Sequence, residues 1–290
     1  HLPPGSTTVR RTMRRPTSPN VLVIMTDQER YPPPYESAEV AEYRRRRMPA
    51  RERVRSRALV LHRHYTAATA CLPSRTSLFT GHYPSLHGVT STDGLAKSST
   101  DPGIHWLDPD AVPTMGDWFR AAGYRTHYRG KWHLSHPDLV VPGTHTPLMT
   151  NDANGLVYGD AVDLYRRADL LDGFGFSGWI GREPHGPHPA DSGYVRDPLF
   201  AAQVDDLFDH LRDDRPRHDH DAPWLAVASF VNPHDIVFSG VGWQALGFPP
   251  VPDDVPEVPP APSQTDSFDG RPACQAAWRD AWTAMVYEQP

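Results

Sequence analysis

Val21-Leu22-Val23-Ile24-Met25-Thr26-Asp27-Gln28 is the stretch on which the fold turns. Its five consecutive apolar residues, three of them β-branched, have the length of one strand and are too few for a core helix. A run apolar at every position predicts a strand buried on both faces, in the centre of a parallel sheet. It ends at Thr26-Asp27-Gln28. In open α/β sheets ligands gather beyond the carboxyl ends of the strands, so Asp27 stands where a metal ligand belongs.

Further elements follow along the chain. Ala58 to Tyr65, Tyr124 to Lys131 and Trp224 to Val231 read as strands. Pro73 to Phe79, stopped by Gly81, and Pro113 to Ala122, closed by Gly123, read as helices, because proline is favoured where a helix begins. Pro198 to Arg212 and residues 273–287 are also helical in pattern. Strands alternating with helices predict a largely parallel sheet covered on both faces. Residues 1–19 are polar and expected to be disordered, which leaves 20–290 as one α/β domain. The proline-rich segment from Phe248 to Pro262 is expected to be irregular. The arginines from Arg44 to Arg57 read as a solvated helix face with Glu39, Glu42 and Glu52 as partial partners.

Composition narrows the function classes. The 290 residues carry a formal charge of -6, which argues against a dedicated nucleic-acid binder with a basic face. No apolar run approaches the roughly 20 residues needed to cross a bilayer. The two cysteines, Cys71 and Cys274, could form at most one disulfide and make neither a disulfide scaffold nor a Cys-rich zinc module. The chain starts at His1; Met13-Arg14-Arg15-Pro16 reads as a start leading straight into the first strand, and on that reading the protein is cytoplasmic.

The chemistry centres on Cys71-Leu72-Pro73-Ser74-Arg75, followed by Thr76-Ser77-Leu78-Phe79-Thr80-Gly81. It sets a thiol at a helix N-terminus, where free N–H groups and the helix dipole favour anions. Arg75, one turn in, has the planar fork that clamps a tetrahedral oxyanion. Alone, these features suit a thiolate nucleophile, an anion site, or a small buried cysteine before a helix.

The wider string, with Thr80-Gly81-His82-Tyr83-Pro84-Ser85-Leu86-His87-Gly88-Val89, resembles the signature of the type I sulfatases, formylglycine-dependent hydrolases of the alkaline phosphatase superfamily. Gly130-Lys131-Trp132-His133-Leu134 is similar to their second signature, and Asn232-Pro233-His234-Asp235 to the segment that supplies a histidine near the leaving oxygen. The resemblance implies an alkaline-phosphatase-like α/β fold. It implies that Cys71 is oxidised to formylglycine by a formylglycine-generating enzyme, and that a small-molecule sulfate ester is the substrate. Arg75 and Lys131 would stabilise charge, His133 would take a proton from the nucleophile, and His234 would serve as general acid. Calcium or another divalent metal would be held by Asp27, Gln28 and residue 71. Gln28 departs from the paired acids common in sulfatases and is shared with phosphonate monoester hydrolases. A later strand ending in Asp-Asn or Asp-His, and a further lysine, have no counterpart before Pro290. The expectation is of an N-terminal portion lacking the C-terminal part, poorly active alone. Asp235 reads as a turn residue, with a carboxylate behind the site as the alternative, Leu171 to Phe176 as a loop without a catalytic role, and His185, His188, His218 and His220 as solvated loop histidines.

Overall fold

The computed structural model describes residues 18–94, 97–184, 186, 188–213, 222–238 and 252–286. Three parallel strands, β1 (Val21–Asp27), β2 (Arg125–Gly130) and β3 (Trp224–Pro233), form one sheet in the order β1-β3-β2. Between and after them run α1 (Ala38–Arg47), α2 (Pro49–Arg55), α3 (Cys71–Thr80), α4 (Pro84–His87), α5 (Met115–Ala121), α6 (Gly159–Ala168), α7 (Gly193–Asp213) and α8 (Ala273–Val286). This is the α/β architecture that the alternation of patterns predicts.

Alternation along β3 shows how both faces are covered. Leu225 and Val227 point into the main core with Tyr128 of β2, Leu72 and Phe79 of α3, and Trp132, Phe174 and Phe176. Ala226, one residue out of phase, packs on the opposite face against Leu207 and Leu211 of α7. The small alanines Ala226 and Ala228 let α7 lie close to the sheet. Phe79, Tyr128, Trp132 and Phe176 stack at centroid separations of 5.1–6.1 Å, mostly edge to face or tilted, as aromatic quadrupoles prefer. Leu171, Phe174 and Phe176 thus belong to the core.

Several expectations are corrected. Strand β1 is not central: β3 is, and among the described residues β1 pairs only with it. Val21, Val23 and Met25 face the core, while Leu22 and Ile24, on the α7 side, are 41% and 61% exposed because α7 packs on β3 and β2. Ala58 to Tyr65 forms no strand; both faces of its alternation, from Leu59 to Tyr65, lie exposed with no partner strand to hydrogen-bond. Helix α7 begins at Gly193, so Pro198 lies inside it as the sixth residue. Helix α3 starts at Cys71 rather than Pro73, which is its third residue, where an N–H would lack an intrahelical acceptor, and it ends at Gly81 in the left-handed conformation. Residues 252–262 have no regular element, and residues 1–17 lie outside the described region. The arginine-rich helices are solvated: Arg44 pairs with Glu36, Arg45 with Glu42, Arg47 with Asp254 and Arg51 with Glu29. No helix among the described residues is long and apolar enough to cross a membrane.

Candidate active site

The carboxyl ends of the strands assemble the site. Asp27 closes β1 and is paired in register with Pro233, the last residue of β3, so His234 emerges beside it. Cys71 is the first residue of α3. Its N-cap, Ala70, has no side chain to satisfy the opening N–H groups, which are left for an anion. Ligand atoms of Asp27, Cys71 and His234 all lie within 4.8 Å of one another. Cys71 and Cys274 are both free thiols, so the arithmetically possible disulfide is not formed.

Lys131 reaches the same point from the end of β2. Gly130 turns the chain at φ +98, and any Cβ there would sit 1.9 Å from the carbonyl oxygen of Ser229, so only glycine fits. The next residue, Lys131, is fully buried, and its ammonium lies 2.5 Å from Asp27 Oδ2. Burial alone would raise the pKa of Asp27. The charges of Lys131 and Arg75 outweigh it and hold the carboxylate at about 2.

Arg75 is less free than an oxyanion clamp. Its Nε donates to the Trp132 carbonyl at 2.8 Å, and Nη2 donates to Ser229 Oγ at 2.8 Å, Tyr128 Oη at 3.2 Å and the Lys131 carbonyl. One edge of the guanidinium therefore fixes the Lys131-Trp132 turn.

His234 is half-buried beside the Cys71 sulfur. Burial lowers its pKa, but hydrogen bonding with Asp235 and Cys71, and the Asp27 charge, more than offset this, so the imidazole is held above its ordinary value. Asp235 is no surface turn residue. It is buried, its Oδ2 accepts from Gly193 N at 2.7 Å, and its Oδ1 stands 3.8 Å from His234 Nδ1. Asp197, from α7, accepts from the N–H groups of Val231 and Asn232 and holds the strand end that carries His234.

Lys131 and His133 are two residues apart, a spacing that puts both side chains on one face of a strand, but His133 is turned to a different carboxylate from Lys131. Its backbone takes φ +51, which breaks the extended run, and its Nε2 meets Asp93 Oδ1 at 2.8 Å, both groups buried. It lines a small cavity of about 120 Å³ with Trp106, His136, Asp138 and Glu183, whereas Cys71 lines a larger one of about 450 Å³. Asp93 lines both. Gln28, at φ +64, borders the larger cavity with Cys71, Lys97, His234, Phe238 and Trp278. Glu183 accepts from Trp132 N at 3.0 Å, and burial pushes its carboxyl up to about 7 despite the opposing Lys131 and Arg75 charges.

Asp93 and Glu183 carry no signal in the sequence, and for Asp235 burial and the neighbouring His234 favour the alternative of a carboxylate behind the site over the turn. Thr92-Asp93-Gly94 looks like an ordinary turn, since Asp-Gly is a common turn pair, and nothing local to Glu183 marks it. Of the other histidines, His188 accepts from Ala190 N at 3.1 Å as a helix cap; His185, His218 and His220 lie outside the described residues.

With this geometry in view, the chain is assigned by comparison. The sulfatase family model matches residues 19–268, and the chain belongs to the sulfatase family, within the alkaline phosphatase superfamily. It is 29% identical over 137 residues to human N-acetylgalactosamine-6-sulfatase, a match covering 45% of this chain and 24% of that protein. To the ulvan-active sulfatase of Formosa agariphila it is 27% identical over 142 residues, covering 46% and 23%. Human arylsulfatase H is 36% identical over 83 residues, 29% of this chain and 15% of that one. Among solved structures, the phosphonate monoester hydrolase of Agrobacterium radiobacter aligns over 75% of this chain and 41% of its own, at 19% identity and a TM-score of 0.37. The matched stretch thus spans about a quarter or less of the length of these curated relatives.

Proposed function

We propose that this chain carries the nucleophile end of a sulfate-ester hydrolase, with residue 71 as the attacking group after its conversion to formylglycine. The observation that carries this is the gathering of Cys71, Asp27 and His234 within 4.8 Å, with Cys71 and His234 lining a cavity of about 450 Å³ and Lys131 paired with Asp27. Formylglycine, made from Cys71 by a formylglycine-generating enzyme, supplies as its hydrate an oxygen nucleophile. The start of α3 suits it, because uncapped N–H groups stabilise negative charge there.

This chain's own side chains would then act as follows. Arg75 and the Lys131 ammonium stabilise charge that develops on the sulfate oxygens. His234, held protonated to higher pH by Asp235 and its neighbours, gives a proton to the departing alcohol oxygen. His133, fixed by Asp93, takes a proton when the product sulfate leaves. The cavity wall of Val237, Phe238 and Trp278 would receive the alcohol portion and exclude water.

Calcium, which the resemblance implies, takes six to eight oxygen ligands. Asp27 is the one carboxylate grouped with Cys71 among the described residues, Lys131 already neutralises it, and Gln28 adds at most an amide oxygen. That donor set does not fit calcium, and no step is routed through it. Gln28 favours a second reading, a phosphonate or phosphate ester hydrolase working at the same site. Turnover of para-nitrophenyl sulfate against the matching phenylphosphonate, by chain co-expressed with the formylglycine-generating enzyme, decides. Sulfate turnover abolished by Cys71→Ser supports the first reading, and phosphonate turnover alone supports the second. No turnover of either leaves a non-catalytic member of the family and refutes both.

A further inference from the structure

We propose that the unmodified chain is a transition-metal site, in which the Cys71 thiolate, a ring nitrogen of His234 and a carboxylate oxygen of Asp27 hold a borderline divalent ion such as Zn²⁺ or Co²⁺. A fourth position opens to the cavity. The inference holds whether or not the chain hydrolyses sulfate esters.

Three lines of geometry and chemistry carry it. The donor atoms already lie within 4.8 Å of one another. Tetrahedral zinc with a sulfur at about 2.3 Å and nitrogen or oxygen at about 2.0–2.1 Å spaces its ligands by about 3.3–3.7 Å, so the widest pair needs to close by about an ångström. Such a shift is within reach of side-chain rotation, because the backbones are held together: Asp27 and Pro233 are register partners of adjacent strands, and Cys71 is anchored at the start of α3.

The donor set is the second line. One sulfur, one imidazole and one carboxylate suit zinc-like ions and suit calcium poorly, since calcium demands hard oxygens. Three protein ligands with one open position is the arrangement of catalytic rather than structural zinc. The open side exists, because Cys71 and His234 both line the cavity of about 450 Å³.

The third is the surrounding shell. Asp235 Oδ1 stands 3.8 Å from His234 Nδ1 and its Oδ2 is tied to Gly193 N, a carboxylate beside the imidazole of the kind that orients metal-bound histidines. On binding, the thiol proton passes to solvent and the sulfur lone pair goes to the metal; the new thiolate offsets part of the ion's charge, and the Asp27 carboxylate is shared between the ion and the Lys131 ammonium. No oxidant or reductant is involved. Formylglycine formation removes the sulfur, so this preference for borderline metals ends with that modification.

The test uses the full chain in a Cys274→Ser background, made without the formylglycine-generating enzyme and shown by mass to hold a thiol at residue 71. Titration with Co²⁺ should give a thiolate-to-cobalt charge-transfer band and tetrahedral visible bands, saturating at one ion per chain. Cys71→Ser should abolish the charge-transfer band, and His234→Gln should weaken binding by about tenfold or more. Saturating Zn²⁺ should slow alkylation of Cys71 by iodoacetamide by about tenfold or more, a readout that needs no second variant to fold. A charge-transfer band that is absent, or that survives Cys71→Ser, overturns the proposal, as does alkylation unaffected by zinc.

Discussion

Replacing Asp27 by Asn should unmask how much of the site's stability rests on one buried ion pair. Lys131 is fully buried and its ammonium is 2.5 Å from Asp27 Oδ2. At an effective dielectric of about 20 their direct attraction is roughly 6–7 kcal/mol, much of it offset by the cost of removing both charges from water. The Asp27→Asn substitution leaves the ammonium buried without its partner, which costs about 3–5 kcal/mol. The acid side of the pair gives a compatible figure. A carboxylate held at about 2 instead of 3.8 contributes about 2 kcal/mol, present above roughly pH 4 and lost as the pH falls toward 2. Lys131→Met should cost less, about 1–3 kcal/mol, because Arg75 still faces Asp27. The Asp27→Asn/Lys131→Met double variant buries neither charge and should recover most of the loss. Urea unfolding at pH 7 with a chelator present measures all three. A loss below about 1 kcal/mol for Asp27→Asn, or strictly additive losses in the double variant, refutes the pairing as the source of stability.

Other outcomes follow from the same geometry. Glu183 is held protonated up to about pH 7, so its folded-state pKa lies above the unfolded value of 4.5; stability should fall by up to about 3 kcal/mol as pH rises from roughly 4.5 to 7. Glu183→Gln should flatten that slope, seen as urea midpoints compared at pH 5 and 8. Asp93→Asn should lower sulfate-ester turnover by about tenfold to a hundredfold, because it loosens the His133 ring. Restoration by Asp93→Glu would separate orientation from folding. Gly130→Ala forces a Cβ into the Ser229 carbonyl at a left-handed φ and should cost at least about 2–3 kcal/mol in thermal unfolding.

The sequence was informative where chemistry follows chain order and less so where it depends on neighbours across space. The strand identity of Val21 to Met25, the Gly81 and Gly123 helix stops, and the contiguous motif from Cys71 to Arg75 are local signals. They led to a parallel α/β sheet with Asp27 at a strand's end. Whether β1 was central depended on which strands paired with it, and apolar runs carry no record of that. Arg75 reads locally as an anion clamp, yet its partners are carbonyls of residues more than 50 positions away. Lys131 and His133 have strand spacing, but the left-handed turn at His133 sends the imidazole to Asp93. Asp235 reads as a turn residue because its burial and its contact with Gly193, 42 positions earlier, leave no trace beside it.

The central claim is that residue 71 becomes the nucleophile, and peptide mass spectrometry of chain co-expressed with the formylglycine-generating enzyme tests it most directly. The account predicts that the peptide spanning Cys71 to Arg75 loses its sulfur, gains an oxygen and reacts with an aminooxy probe as an aldehyde. An intact thiol there, under conditions in which a control sulfatase is converted, would contradict it.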